Sequence, residues 1–238
     1  MAVNWFFHIA LPLPFSQVIT LRICAVIPAY NEEDNIAEVV KKTMEYVDSV
    51  IVVDDGSLDN TFHNAKNADI VLKHAVNMSK GFALETGIEA ALKENADIIV
   101  TLDGDNQHDP EDIPRFVNTL REENLDIVFG SRQLNGAMPF ILRFGNWWLT
   151  TSTRLLFGIN IKDTQSGFRV FTRDAYKKLK WSSHDYRVES EMIANTAKHN
   201  LKYKELPIKT AYHSSYKGTT VLDGIRIFLN MLWWRLTK

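Results

Sequence analysis

The sequence predicts an α/β fold, a mainly parallel sheet flanked by helices on both faces, and three observations carry that prediction. Short β-branched runs alternate with stretches whose apolar residues recur at helical spacing. The runs themselves are continuously apolar, as strands covered on both faces are. Three of them end in acidic or glycine-punctuated turns: Pro28-Ala29-Tyr30-Asn31-Glu32, Asp54-Asp55-Gly56-Ser57 and Asp103-Gly104-Asp105. In open α/β sheets ligands bind beyond the carboxyl ends of the strands, so these turns mark a candidate site.

Taken in order, Ile23–Ile27 reads as the first buried strand, and Glu33–Tyr46 as a helix with Ile36, Val39, Val40 and Met44 inward. Val50–Val53 and Ile70–Leu72 are the second and third strands, and Lys80–Lys93 is a helix facing inward through Phe82, Leu84, Ile88 and Ala91. Ile98–Leu102 is the fourth strand, Ile113–Arg121 a helix entered through Pro110, and Asp126–Phe129 the fifth strand. Beyond it the pattern becomes aromatic and amphipathic, with helices expected near 140–157 and 221–236. Both carry charge, and the second would reach only about 24 Å, so neither suits a bilayer span. Trp147, Trp148, Trp233 and Trp234 beside arginines suit a water–lipid interface instead. The plainer alternative is that these helices simply pack on the sheet.

A chain of 238 residues fits one large domain with a small appendage. Residues 1–20 read as an N-terminal extension outside the core, either lying on a membrane surface or forming a tail, and 21–238 as the domain. The net charge of −2 gives no case for nucleic-acid binding. The single cysteine, Cys24, excludes an intrachain disulfide and reads as a buried thiol compatible with a reducing cytoplasm.

The alternate carboxylates Asp103 and Asp105 can converge on one hard cation, Mg2+ or Mn2+, with Gln107 adding a carbonyl. The adjacent Asp54 and Asp55 need hydrogen-bond donors or a cation to compensate them, and a nucleoside would supply donors. Arg132 follows a strand, and Arg143, Arg169, Lys217 and His213 are further basic groups for a phosphate. His108 reads as a solvated loop residue. Glu189 and Glu191 precede an apolar helical run at Met192–Ala197, and Glu191 is preferred for a functional role.

Together these segments resemble the family 2 glycosyltransferases of the GT-A (Rossmann-like) fold, and most closely the dolichol-phosphate mannose and glucose synthases with their bacterial and archaeal relatives. The resemblance runs in order through Ile27–Glu32, Asp54–Ser57, Asn77–Gly81, Asp103–Gln107, Gly130–Arg132, Gln165–Arg169 and Glu189–Glu191. It implies that Pro28, Tyr30, Glu32, Asp55 and Asp103 line the donor-nucleotide pocket. It further implies that Asp103, Asp105 and Gln107 hold the metal, and that Asp105, Arg132 and Glu191 sit at the reacting centre. Arg143, Asp163, Gln165, Ser166 and Arg169 would shape the sugar and acceptor side, with His213 and Lys217 near it. The implied reaction is inverting transfer of a hexose from a nucleotide-diphosphate sugar (GDP- or UDP-hexose) to a polyprenyl phosphate. The implied location is peripheral, at the cytoplasmic face of a membrane, attached by the amphipathic helices or by a membrane-protein partner. Transfer to a sugar hydroxyl of a growing glycan, and a catalytically silent nucleotide-sugar-binding scaffold, are the alternatives. An NAD-binding enzyme is disfavoured because Pro28-Ala29-Tyr30 stands where a glycine-rich turn would be.

Overall fold

The computed structural model describes residues 21–132, 140–183, 185, 187–210 and 221–237; within it, the side chains of 140–144, 146 and 221–223 are outside the description. The expected extension at 1–20, and His213 and Lys217, fall outside the described residues.

The parallel half forms as the apolar runs predict. β1 (Ile23–Ala29) lies between β2 (Ser49–Asp54) and β4 (Ile98–Thr101), parallel to both, and β3 (Ile70–Lys73) extends the sheet beyond β2. The register pairs Ala29 with Asp54 and Val26 with Thr101. The turns after β1, β2 and β4 therefore emerge side by side. The second half reverses direction. β6 (Arg169–Thr172) is antiparallel to both β4 and β5 (Ile127–Arg132), and β7 (Tyr203–Ile208) runs parallel to β5, giving the seven-stranded order β3-β2-β1-β4-β6-β5-β7. β6 was not visible as a run, since its four residues start immediately after a glycine-bearing turn.

Apolar side chains fill both faces of the sheet. One face packs α1 (Ile36–Thr43) and α4 (Ile113–Glu122) through Ile36, Val39, Val40, Phe116 and Leu120. The other packs α3 (Lys80–Lys93), α6 (Arg173–Leu179) and α7 (Val188–Lys198) through Leu84, Ile88, Tyr176, Met192 and Ile193. A short α2 (Thr61–Asn64) lies after the second turn. The first helix begins later than expected because residues 31–35 are committed elsewhere. Glu32 N–H donates to Thr61 Oγ1 at 2.7 Å, and Glu33 N–H donates to Asp59 at 3.2 Å.

α5 (Phe140–Phe157) and α8 (Val221–Thr237) pack on α7 through Leu149, Ala194, Ile227, Met231 and Trp234. Trp234 is thus a core residue, 4% exposed, which corrects its assignment to a lipid interface. Trp147, Leu155, Ile225, Leu229, Trp233 and Leu236 instead face outward, with Trp233 64% and Leu236 84% exposed. No helix among the described residues is long and apolar enough to cross a membrane.

Candidate active site

The turns after β1, β2 and β4 open into a cavity of about 490 Å3, whose lining includes Pro28, Tyr30, Glu32, Asp55, Lys80, Asp103, Asp105, Gln107, Arg132, Gln165 and Glu189. At one end the two adjacent aspartates divide their work. Asp54 is fully buried, accepts from Ser57 N–H at 2.9 Å and pairs with Lys73 Nζ at 3.1 Å. Asp55 turns toward the cavity, and its Oδ1 accepts from His74 Nδ1 at 2.7 Å and Met78 N–H at 2.9 Å. That approach depends on Gly56, which has φ +73°. A Cβ there would lie 2.4 Å from the Val76 carbonyl carbon and 2.6 Å from the Asn77 nitrogen, so only glycine lets the 76–78 segment close over Asp55.

In the middle stand the alternate carboxylates that follow β4. Lys80, at the start of α3, reaches Asp103 Oδ1 at 2.6 Å and Glu189 Oε1 at 2.7 Å. Burial works against the ammonium charge, but the two carboxylates more than offset it and hold the Lys80 pKa well above its usual value. Burial likewise works to raise Asp103, yet Lys80 and then His108 bring it down to about 2. Asp105 lacks such a close cation: burial, and then the charge of Asp103, push its carboxyl up to about 6. Gly167 completes this region. A Cβ on it would lie 2.6 Å from both Asp103 carboxylate oxygens, and Thr101 Oγ1 donates to its carbonyl at 2.9 Å, fixing the 164–168 turn across the end of β4.

From the second half come Arg132 and Gln165. Arg132 ends β5, and its guanidinium is gripped bidentately by Asp163, Nε to Oδ2 at 2.7 Å and Nη2 to Oδ1 at 3.0 Å. The Asp163 backbone N–H is itself held by Glu205 Oε1 at 3.0 Å. Gln165 Nε2 donates to Ser190 Oγ at 3.0 Å and to Thr164 Oγ1 at 3.1 Å.

Several expected residues stand behind the cavity rather than in it. Arg169 is buried, donates to the Ser166 carbonyl at 3.3 Å and lies over the Phe129 ring; burial brings its pKa down to about 10. Ser166 Oγ accepts from Phe168 N–H at 3.3 Å, and Asp163 is spent on Arg132. Glu191 requires the clearest correction. It is fully buried, and its carboxylate accepts from Ser182 N–H, Ser182 Oγ and Ser183 N–H at 2.8 to 3.1 Å. Of these two glutamates, the one that lines the cavity is Glu189. Both lie in the first turn of α7, not ahead of a helix, and the two-residue offset turns them to different sides. His108 is also buried rather than solvated. Its Nδ1 accepts from Asp103 N–H at 3.3 Å, its ring meets Phe168 edge-on, and burial lowers its pKa to about 4. Arg143 falls near the start of α5, where side chains are outside the description.

Sequence reasoning missed Lys80 as a charge partner, and Asn77 and Asp185 as lining residues. The available signal was Lys80 at a helix start, one residue ahead of Gly81 in a segment already picked out.

The carboxylate pair fits a divalent cation. Asp105 carries a charge that the chain's own cations leave poorly compensated, and hard oxygen ligands are what Mg2+ or Mn2+ takes. Among the described residues no three His, Cys, Asp or Glu side chains converge as a complete ligand set, so ligand oxygens and water would have to complete the shell.

Strand-end carboxylates around a cavity at the carboxyl edge of a mixed α/β sheet are placed where such sheets bind ligands, and the family of the chain supplies the class, glycosyltransferase. The chain belongs to glycosyl transferase family 2, whose model matches residues 24–180. It is 39% identical over 221 residues to an uncharacterized protein of Methanocaldococcus jannaschii, covering 89% of this chain and 91% of that one. It is 36% identical over 243 residues to the UDP-N-acetylglucosamine–dolichyl-phosphate N-acetylglucosaminyltransferase of Methanococcus voltae, covering 91% and 97%. Among solved structures, glucosyl-3-phosphoglycerate synthase from Mycobacterium tuberculosis, in complex with Mn2+, UDP-glucose and phosphoglyceric acid, superposes with a TM-score of 0.72. At 22% identity, over 92% of this chain and 81% of that one, it shows a shared fold.

Proposed function

We propose that this enzyme is an inverting hexosyltransferase, moving a hexose from a GDP- or UDP-hexose to a polyprenyl phosphate at the cytoplasmic face of a membrane. Family membership and the Methanococcus voltae relative support the class. The observation that carries the acceptor assignment is the state of the carboxylates on the sugar side. Glu189 is paired with Lys80, Asp163 with Arg132 and Asp185 with Arg187, while Glu191 is spent on Ser182 and Ser183. None is poised as a general base, which a hydroxyl acceptor would need. A phosphate monoester has a second pKa of about 6, so it attacks as an anion at neutral pH and needs no base.

Asp103 and Asp105, with Gln107 beside them, would hold Mg2+ or Mn2+. Bound there, the cation would neutralise the charge that develops on the departing diphosphate. Arg132, oriented by Asp163, supplies a fixed guanidinium fork for phosphate oxygens. Lys80 holds Asp103 and Glu189 in place from the opposite wall. Tyr30, Pro28 and Asp55 receive the nucleoside. The outward face of α5 and α8, with Trp147, Leu229 and Trp233, supports docking on the lipid surface where the acceptor resides.

The test is an acceptor panel: polyprenyl phosphate, the matching polyprenol and an oligosaccharide, each with Mg2+ or Mn2+ and GDP-mannose, UDP-glucose or UDP-N-acetylglucosamine. Mass spectrometry should show a glycosyl-phosphoryl lipid with the phosphate alone. A glycosylated hydroxyl would overturn the reading, and nucleotide binding without product from any acceptor would favour the scaffold.

A further inference from the structure

Hydrogen-bond capacity at Asp55 discriminates between the two donor nucleotides that the proposed function leaves open. A carboxylate offers about four acceptor sites, two on each oxygen. On Asp55 both sites of Oδ1 are taken, by His74 Nδ1–H at 2.7 Å and by Met78 N–H at 2.9 Å. His74 is held in that role from its other side: Nε2 lies 3.0 Å from the Thr86 hydroxyl on α3. Since a carboxylate oxygen only accepts, the proton belongs on Nδ1, and Nε2 accepts from Thr86. Among the described residues Oδ2 makes no hydrogen bond, and Asp55 lines the cavity. The pocket therefore offers a ligand one carboxylate oxygen.

The same cavity lining holds a donor. Asn77 also lines the cavity, and its Oδ1 accepts from Ser79 N–H at 3.0 Å, which fixes the amide with Nδ2–H2 as its remaining group. Asp55 follows β2 and the metal-site carboxylates follow β4, two strands away across β1. At about 4.8 Å per strand that is roughly 10 Å, enough to place a ribose between a base at Asp55 and a diphosphate at Asp103 and Asp105. Uracil presents one N–H flanked by carbonyls, which suits one acceptor oxygen with an amide donor in the same lining. Guanine presents N1–H and the N2 amine side by side, and its usual carboxylate partner uses both oxygens. With Oδ1 filled, that two-oxygen pairing is blocked, and the amine can only crowd onto Oδ2 beside N1–H.

We infer that His74 is a specificity-determining positioning residue which occupies one oxygen of Asp55, making the pocket select uridine over guanosine diphosphate sugars. This rests on the nucleotide-sugar reading given above and narrows its donor.

The test is calorimetric titration of the full chain, with Mn2+ present, by UDP and by GDP. UDP should bind at least about tenfold more tightly, since a site shaped to pair one N–H disfavours a ligand whose two adjacent donors it cannot pair with good geometry. His74→Leu releases an acceptor site on Oδ1, so the UDP-to-GDP affinity ratio should fall by about threefold or more. His74→Asn keeps a donor the same number of bonds from Cα as Nδ1, and the ratio should stay near that of the wild type. GDP binding as tightly as UDP in the wild type would overturn the inference while leaving transfer to a lipid phosphate intact. Equal weakening of both nucleotides in His74→Leu, with the ratio unchanged, would overturn the role of His74. Failure of both nucleotides to bind would overturn this inference together with the proposed function.

Discussion

The two halves of the sheet build their shares of the cavity by different means. In the β1–β4 half the contributing carboxylates follow the ends of β1, β2 and β4, and the parallel register sets the turns side by side. In the half beyond β4 the contributing groups come from a strand end, a turn and a helix start, Arg132, Gln165 and Glu189, brought together by the antiparallel insertion of β6. The first arrangement makes the site local in sequence. The second makes it depend on buried ion pairs and hydrogen bonds that hold distant segments in one position.

The largest expected effect lies in the first half. Asp105→Ala should lower transfer by about a thousandfold or more with unchanged melting temperature, because it removes the least compensated carboxylate of the pair. Transfer within tenfold of the wild type would break the assignment of the reacting centre to the β4 turn. Gly167→Ala tests the seam between the halves, since the added Cβ collides with Asp103. An activity loss of roughly a hundredfold is expected, by analogy with other small displacements of catalytic groups.

Glu189 and Glu191 sharpen the comparison within one helical turn. Glu189→Gln should cut kcat by about ten- to a hundredfold with little change in melting, as its carboxylate lines the cavity against Lys80. Glu191→Gln should do the reverse, costing about 1–3 kcal/mol of stability through the Ser182 and Ser183 bonds while folded enzyme keeps most of its activity. Exchanged phenotypes would contradict the placement of the two side chains.

The Arg132–Asp163 pair has a pH signature. Burial acts to raise the Asp163 carboxyl, but Arg132 more than offsets it and holds it below the usual range. A depressed folded-state pKa contributes stability that is present above about 3.9, the unfolded value, and lost as pH falls through the folded value. Asp163→Asn should therefore be less stable than the wild type by about 3 kcal/mol at neutral pH, with the gap narrowing below pH 4 in chemical denaturation. A gap constant down to pH 2 would argue against the ion pair. The smallest effect is expected at the outward helix face. Trp233→Ser should weaken binding to anionic vesicles several-fold without altering affinity for the free nucleotide. Unchanged vesicle binding would shift attachment to a partner protein or to another part of the chain.

Much of the fold was legible because its parallel strands are continuous apolar runs, the Lys80–Lys93 helix has the bounds its periodicity implies, and the aromatic stretch at Phe140–Phe157 is the helix expected near 140–157. The β6 strand was hidden because it is four residues long and is specified by its antiparallel partners rather than by its own pattern. At the site, acids at strand ends were legible, whereas the choice between Glu189 and Glu191 depended on where α7 begins. Composition around Met192 does not set that point. The outward orientation of Trp233 and inward orientation of Trp234 likewise follow from which face of α8, the one carrying Ile227 and Met231, packs on Leu149 and Ala194.

The most direct test of the central claim is the linkage of the product. Purified enzyme given an α-linked nucleotide hexose, polyprenyl phosphate and Mn2+ should yield a β-linked glycosyl phosphate by NMR, absent with Asp105→Ala. An α-linked product, or a sugar joined to a hydroxyl, would contradict an unassisted phosphate attacking past Glu189, Asp163, Asp185 and Glu191, all of them engaged.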